Sequence, residues 1–203
     1  MITIYWHCLK PVASEKDEKF ISSALGQLAK HLRKEPIELA ISIKRLLDEP
    51  KLARKVTEIL DKLSDQSYTF TNCASEITGV LPIGEASTAR LFIYCSPSNY
   101  VAVAAHREEP VAKWGGTCWP LASLYEYNNK NGVFHETLHL LGAEDCYEKK
   151  DPSQKKPDCN LDSCIMEYSP PVNISENWPF LCDKNVNLLR QVKKNACPKL
   201  TLE

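Results

Sequence analysis

The sequence predicts an α+β fold, and three observations lead to this prediction. The chain opens with a short segment in which apolar residues alternate, and three apolar series at helical spacing follow. From about residue 68 the segments are instead rich in β-branched and aromatic residues. With 203 residues, of which 43% are hydrophobic, the chain can bury the core of one domain, or of one domain with a small lobe.

Charge and hydropathy exclude several classes of partner. The 25 basic and 26 acidic side chains give a net charge of -1, which provides no general attraction to nucleic acid or to anionic membranes. No apolar run approaches the roughly 20 residues that span a bilayer. The first residues lack a charged leader followed by an apolar run, so we expect a cytoplasmic protein and leave a secreted mature form open. The oligomeric state is also left open.

The first half of the chain is predicted to be one strand followed by three helices. The strand is indicated by the alternation of Ile2, Ile4 and Trp6. Ser14 and Asp17 form a capping pattern ahead of the first helix. The apolar positions of that helix are Phe20, Ile21, Leu25, Leu28 and Leu32. Further apolar series over residues 37–47 and 52–63 predict two short amphipathic helices, whose apolar faces we expect to pack in the core.

Strands and turns are predicted for the middle of the chain. β-Branched and aromatic residues indicate strands at residues 68–72, 91–94 and 100–104, whereas residues 121–127 show no firm pattern. The paired glycines Gly115 and Gly116 suit a bulge or a close backbone approach. Residues 128–132 predict a turn in which an asparagine caps a helix that begins near Val133. The core-facing residues of that helix are predicted to be Phe134, Leu138 and Leu141.

This last helix carries the residues that indicate a chemistry. His135 and His139 are four residues apart, so they lie on one face about one turn apart and both imidazoles can reach a single zinc ion. Glu136 projects beside the same face, where its carboxylate can take a proton from a metal-bound water. The spacing is that of the HExxH motif of zinc peptidases.

A third metal ligand is expected just beyond the helix. Gly142 is placed where a helix can end with a left-handed residue, and a sharp turn there can bring Asp145 back over the same metal. Glu144 and Glu167 are the alternative third ligands. The extended pattern is His-Glu-x-x-His-x-x-Gly-x-x-Asp, and one of only two methionines, Met166, follows it at a distance of about 20 residues.

With these residues the sequence resembles the metzincin clan of zinc metallopeptidases, whose signature is this long motif followed by a methionine-containing turn beneath the metal. The resemblance covers about 35 residues and implies that His135, His139 and Asp145 are the ligands of a catalytic zinc. It further implies a role for each neighbouring residue: Glu136 is the general base, Gly142 forms the turn, Met166 belongs to the Met-turn, and Tyr168 binds zinc or the developing oxyanion.

The fold and activity that the resemblance implies are specific. A zincin or metzincin-like fold has a mixed β-sheet with backing helices, an active-site helix and a smaller C-terminal subdomain, here rich in cysteine. Residues 1–142 would form the N-terminal subdomain, and residues 143–203 would hold the Met-turn and a C-terminal helix; together they make one catalytic domain. The implied function is a zinc-dependent metalloendopeptidase that hydrolyses peptide or protein substrates through a zinc-bound water activated by Glu136. An edge strand within residues 100–118 would pair with the extended peptide.

Nine cysteines fall into two groups. Cys8, Cys73, Cys95 and Cys118 are most simply buried free thiols, which favours a reducing compartment. The other five are concentrated in the last third of the chain, where either zinc or disulfides can hold a loop-rich lobe together: Cys146, Cys159, Cys164, Cys182 and Cys197.

Archaemetzincins, within the same clan, resemble this chain partially. They continue from the third ligand into a cysteine, a Cys-x4-Cys-x-Met segment and a Phe-Cys-x-x-Cys segment, and they use cysteines for a second, structural zinc. Here Cys146 and the segment from Cys159 to Met166 match the first two of these features, and Cys182, after Phe180 and Leu181, stands near the third. The chain departs from the pattern in three ways: its third ligand is not histidine, residues 147–158 look like an insertion, and Asn185 replaces the last cysteine. A second zinc would therefore need Cys159 or Cys197 as a ligand.

A second class of function is also compatible with the metal motif. A zinc-stabilised protein-interaction module could keep a metzincin-like fold without turnover. Glu136 argues against this alternative, because a non-catalytic protein has no need for that acid. Lys155 and Lys156 are predicted to belong to a solvated loop.

Overall fold

The computed structural model of the protein describes residues 2–8, 15–62, 76, 80, 88–94, 100–106, 116–119, 130–148, 150–167 and 180–196. The strand predicted at residues 68–72, the unassigned residues 121–127, and Ser14, Cys73, Cys95, Tyr168 and Cys197 lie outside these described residues. Cys118 lies in a described strand whose side chains are not described.

A five-stranded mixed sheet forms the centre of the described part of the chain, with the strand order β2-β1-β3-β4-β5. The strands are β1 (Ile2–Cys8), β2 (Ile41–Arg45), β3 (Thr88–Tyr94), β4 (Tyr100–His106) and β5 (Gly116–Trp119). The first strand pairs in parallel with both β2 and β3, while β4 is antiparallel to β3 and β5. Because β1 lies inside the sheet, all seven of its residues are buried.

Helices and a small hairpin complete the described structure. They are α1 (Glu15–Leu32), a 3-10 helix (Leu46–Asp48), α2 (Pro50–Asp61), α3 (Asn131–Leu140), the hairpin strands β6 (Tyr147–Glu148) and β7 (Asp151–Lys155), and α4 (Asp183–Ala196). The region expected to be an inserted loop therefore contains the hairpin β6–β7. None of the helices in the described part of the chain has the length and apolar character that crossing a membrane requires.

The helix predicted over residues 37–47 is wrong, since this segment contains β2 and the start of the 3-10 helix. Ile41 and Ile43 alternate with Ser42 and Lys44, so the segment also has the period of two that a strand requires. Ile41 pairs with Ile2 of β1 in the parallel register. Pairing with a buried strand satisfies the backbone of this segment, and it overrides the weak helical spacing.

The metal-motif helix α3 starts slightly earlier than predicted. It begins at Asn131, and its N-cap position is Lys130, whose side chain makes no capping hydrogen bond. The expected asparagine cap is thus wrong for the described residues, because Asn131 already lies inside the helix and is buried. Nine of the ten residues of α3 are buried. Burial on almost every face holds the helix in one position against the core.

One hydrophobic core joins the sheet, the helices and the cysteine-bearing segments. Its members include Ile4 of β1, Leu28 of α1, Leu138 of α3 and Leu189 of α4. Ile165, Met166 and Phe180, which lie close in sequence to cysteines, belong to the same core. The residues around the metal motif are therefore part of one packed core, which limits how far they can move.

Candidate metal centres

The two histidines of α3 point at one another. The Nε2 atoms of His135 and His139 are 3.1 Å apart, and the ring centroids are 4.7 Å apart. This approach follows from the four-residue spacing, which places the two side chains on one helix face. Two Nε2 lone pairs that face each other at this distance repel, so the arrangement favours a cation between them.

Backbone carbonyl groups orient both rings. Nδ1 of His135 lies 2.9 Å from the carbonyl oxygen of Ile165, and Nδ1 of His139 lies 2.9 Å from that of Ala143. A carbonyl only accepts, so each Nδ1 must carry the proton and donate it, which leaves the Nε2 lone pair free. This is the outer-shell arrangement that metal-binding histidines usually have.

Gly142 turns the chain so that Asp145 faces the two rings. Its φ of +92° lies in the left-handed region, and its N–H donates to the carbonyl of His139 at 3.0 Å. The prediction of a left-handed residue at this position is therefore confirmed. Beyond the turn, Oδ1 of Asp145 lies 3.3 Å from Nε2 of His135 and 3.1 Å from Nε2 of His139.

The three ligand atoms of this triad, defined as His135, His139 and Asp145, fit a tetrahedral metal ion. Two nitrogen or oxygen ligands of zinc, each about 2.05 Å from it, are about 3.3 Å apart at the tetrahedral angle. The three distances in the triad, 3.1, 3.1 and 3.3 Å, are close to this value. Apart from the two rings, Oδ1 of Asp145 is buried with no partner in the described residues. The triad can therefore hold a metal ion.

The charges of the triad also suit a cation. Burial alone would raise the pKa of Asp145, but the two facing imidazoles hold it well below its usual range, so the group is a carboxylate. Burial acts to lower the pKa of His139, yet its hydrogen bond with Asp145 and the charge of Glu136 raise that pKa overall.

Glu136 is almost completely buried beside the triad, with 1% of its surface exposed. Its Oε2 atom has no hydrogen-bond partner among the described residues. Burial raises the pKa of this carboxyl group to about 7, although the nearby His135 and His139 oppose the shift. A carboxyl group that is costly to bury and has one oxygen without a partner is more typical of a reacting group than of a packing residue.

The alternative third ligands are engaged elsewhere. Glu144 forms an ion pair with Lys184 at 2.9 Å, and Glu167 forms one with Lys155 at 3.2 Å. Asp145 is the carboxylate whose oxygen lies beside both ring nitrogens.

A second potential metal site, the cysteine cluster, consists of Cys146, Cys159, Cys164 and Cys182. All four side chains are buried free thiols, and their sulfur atoms lie within 4.8 Å of one another. Sγ of Cys146 is 3.5 Å from Sγ of Cys164 and 3.6 Å from Sγ of Cys182. These separations exceed the length of a disulfide bond, about 2.05 Å.

The cluster also fits a tetrahedral ion. Four sulfurs bound to zinc at about 2.3 Å are about 3.8 Å apart, close to the distances found here. Hydrogen bonds within the cluster raise the pKa of Cys146 and lower that of Cys182. Among the candidate late cysteines, Cys159 completes the set of four. The cysteine cluster can therefore hold a metal ion.

Met166 is fully buried in the turn that follows Cys164 and Ile165. Its carbonyl oxygen accepts the N–H of Cys146 at 2.8 Å. The same turn therefore orients His135 through Ile165 and supports the cysteine cluster through Met166. Tyr168, predicted to bind zinc or an oxyanion, lies outside the described residues.

Several supporting residues were not anticipated from sequence. Lys156, expected in a solvated loop, donates through Nζ to the carbonyl of Asp145 at 2.9 Å. Lys155 lies in β7 and pairs with Asp162 and Glu167. Asn185 contacts both Glu144 and the cysteine cluster. These contacts join different segments of the chain, so no local sequence pattern predicts them. One sequence feature did draw attention to Asn185: it stands where the archaemetzincin pattern has a cysteine.

Comparison with known proteins adds no relationship: no protein-family model matches the chain, and no match was found among curated proteins or among solved structures.

Proposed function

We propose that the chain is a zinc-dependent metalloendopeptidase with a metzincin-like fold. In this proposal His135, His139 and Asp145 hold the catalytic zinc, and Glu136 is the general base. The observation that carries the proposal is the triangle of ligand atoms, with edges of 3.1 to 3.3 Å, beside the buried carboxyl group of Glu136, whose Oε2 atom has no hydrogen-bond partner among the described residues. The left-handed Gly142 and the buried turn at Met166 support the likeness to metzincins.

Zinc is the metal that the donor atoms favour. Two imidazoles and one carboxylate make a three-ligand set of the kind that catalytic zinc uses, with the fourth position open. Four buried thiols make the closed set of a structural zinc. We therefore propose two zinc ions per chain, of which the second, held by the cysteine cluster, has a structural role.

The proposed mechanism assigns one task to each residue of the site. When bound, zinc would polarise the substrate carbonyl and lower the pKa of a water molecule towards 7. Glu136 would accept a proton from the attacking water as the water oxygen bonds to the peptide carbonyl carbon, and it would pass that proton to the amine that leaves as the C–N bond breaks. Its burial suits this task, because it keeps the carboxyl group beside the triad and away from bulk water. Asp145 adds negative charge, which we propose makes the metal a weaker Lewis acid than a third imidazole would.

The sheet supplies a candidate surface for the substrate. Within the described sheet β5 is the outermost strand next to β4, and it overlaps the segment from which an edge strand was expected. An extended peptide can add to such an edge through main-chain hydrogen bonds. α3 contacts both β4 and β5, so a peptide at this edge would run close to the metal motif.

A peptide-cleavage screen tests the proposal. Zinc-loaded protein is incubated with a diverse peptide library, and products are identified by mass spectrometry for the parent and for Glu136→Gln. We expect cleavage by the parent and its loss in the variant at equal zinc content. Zinc binding without cleavage in both proteins would instead favour the zinc-stabilised interaction module.

A further inference from the structure

The side chain of Asn185 holds the residue that precedes the third ligand. Asn185 is completely buried in the first turn of α4, 41 residues away from Glu144 in sequence. Its Oδ1 accepts the N–H of Glu144 at 2.8 Å, and its Nδ2 donates to the carbonyl of Glu144 at 3.0 Å. A carboxamide is the side chain with both an acceptor and a donor in this arrangement.

The same side chain reaches the cysteine cluster. Nδ2 of Asn185 lies 3.5 Å from Sγ of Cys146 and 3.5 Å from Sγ of Cys182. An amide nitrogen carries two hydrogens, so one can serve the carbonyl of Glu144 while the other points towards the sulfurs. One buried group therefore contacts the backbone beside the triad and two members of the cluster.

These contacts fix Asp145 from both sides. Glu144 precedes it and is held by Asn185, whereas Cys146 follows it and donates its N–H to the carbonyl of Met166 at 2.8 Å. The backbone carbonyl of Asp145 also accepts a hydrogen bond from Nζ of Lys156. With both neighbours and its own carbonyl held, the aspartate has little freedom to move. Small displacements of Oδ1 matter, since a tetrahedral site requires it near both ring nitrogens.

We propose that Asn185 is a positioning residue, which sets Asp145 for the metal site of the triad by linking its backbone to the cysteine cluster. The proposal rests on the proposed function, in which both the triad and the cysteine cluster bind zinc. Aspartate at this position lacks the donor, and leucine of similar volume lacks both groups and leaves the backbone of Glu144 unpaired. Asparagine satisfies all of these partners at once.

The test compares Asn185→Leu with the matched control Asn187→Leu, an exposed position on the same helix. Zinc affinity at the triad is measured by competition with a chelator that leaves the cysteine cluster loaded, and circular dichroism checks the fold. We expect Asn185→Leu to weaken the triad about 10- to 100-fold, as the loss of outer-shell support does in other metal sites, with no change in the control. Equal triad affinities in all three proteins would overturn the proposal.

Cobalt provides a readout that altered packing alone would not move. With Co²⁺ in the cysteine cluster, the sulfur-to-metal charge-transfer band reports on hydrogen bonds to the sulfurs. Loss of the N–H donor raises the energy of the sulfur electrons, so we expect this band to shift to longer wavelength in the Asn185 variant and not in the Asn187 variant. A band at the same wavelength in both variants would exclude the contact with the sulfurs.

A second substitution covers the case in which Asn185→Leu does not fold. Asn185→Asp keeps the volume and the acceptor for the N–H of Glu144 but removes the donor, so we expect weaker triad affinity and the same shift of the cobalt band. Parental values for both would refute the proposal. A parent protein that binds no metal at the triad would refute the proposed function itself, whereas metal binding unaffected by either substitution would refute only the role of Asn185.

Discussion

Asp145 and Cys146 are consecutive residues, yet their side chains belong to different ligand groups. Oδ1 of Asp145 lies 3.3 Å from Nε2 of His135, whereas Sγ of Cys146 lies 3.5 Å from Sγ of Cys164. Cys164 and Ile165, also consecutive, show a similar relationship: the side chain of Cys164 belongs to the cysteine cluster, and the carbonyl of Ile165 orients His135 of the triad. The two candidate centres thus share two short stretches of backbone, and the cluster is placed to hold the triad in shape.

Replacement of the proposed general base tests the chemistry directly. Glu136→Gln keeps the size of the side chain but removes its capacity to take a proton, so we expect peptide cleavage to fall about 10²- to 10⁴-fold. Zinc content by atomic emission should stay at the parental value, because Glu136 is not among the ligands of the triad. Glu148→Gln, at an exposed position of β6, is the matched control and should retain activity. Undiminished cleavage by Glu136→Gln would remove this residue from the mechanism.

The pH dependence of stability gives a second test of Glu136. Burial raises the pKa of its carboxyl group from 4.5 to about 7, so the folded state binds this proton more tightly than the unfolded chain does. The resulting stability is fully present below pH 4.5 and is lost as the pH rises through about 7. A shift of this size corresponds to roughly 3 kcal/mol.

We therefore expect the free energy of unfolding in urea to fall between about pH 5 and pH 8 once the triad has been freed of metal. Glu136→Gln should remove most of this slope, because an amide does not titrate. His139, whose pKa is also raised, contributes a remainder of the same sign. Parallel slopes in the parent and the variant would show that burial does not hold the Glu136 proton.

Local sequence patterns predicted the parts of the molecule that a few consecutive residues determine. The helical spacing of Ile21, Leu25 and Leu28 predicted α1, and all three side chains are fully buried in it. The four-residue interval between His135 and His139 and the glycine after them predicted a shared face and a sharp turn, because both depend on short-range geometry.

The structural features that local patterns failed to predict depend on contacts with residues elsewhere in the chain. The segment that forms β2 became a strand because β1 lies beside it, which no local window contains. In the same way, the contacts of Asn185 with Glu144 and of Lys156 with Asp145 arise only after α4 and the hairpin β6–β7 have packed. The motif predicted the three candidate ligands that the structure brings together, but not the groups that support them.

The identity of the third ligand can be tested by paired substitutions. Asp145→Asn removes the negative charge and should weaken metal binding at the triad by more than about 100-fold, since even outer-shell losses cost about 10- to 100-fold. Glu144→Gln disturbs only the exposed ion pair with Lys184 and should leave the affinity near that of the parent. Isothermal titration with Zn²⁺ measures both. Loss of binding in Glu144→Gln alone would reassign the ligand.

The cysteine cluster predicts a second metal ion and a large effect on stability. Anaerobically purified protein should contain two zinc ions per chain, and Cys164→Ser should lose the structural one. A site filled at about 1,000 times its dissociation constant contributes roughly 4 kcal/mol, so the midpoint of thermal unfolding should fall by roughly 8–16 °C. Cys8→Ser, a buried thiol of β1 outside the cluster, should keep both ions. One zinc with two disulfides among the late cysteines would refute a structural site.

Replacement of Gly142 by alanine should change the stability of the protein in the opposite direction from the same replacement at a glycine within a helix. At a φ of +92° an alanine is strained, so Gly142→Ala should destabilise the protein by about 1–3 kcal/mol. Its new Cβ would lie 3.4 Å from Cγ2 of Val192 in α4, which is van der Waals contact, so the expected cost comes from the backbone conformation. Gly26→Ala, in α1 with nothing within 4 Å of the new atom, should instead stabilise it by about 0.5–1 kcal/mol.

The same substitution connects backbone strain to the metal site. Relief of the strain at Gly142 would move the segment that carries Asp145, so Gly142→Ala should also weaken zinc binding at the triad while the cysteine cluster stays loaded. Urea unfolding and chelator competition on both alanine variants measure the two effects. If Gly142→Ala lost stability but bound zinc at the triad as tightly as Gly26→Ala, the turn would be needed for folding and not for placing the third ligand.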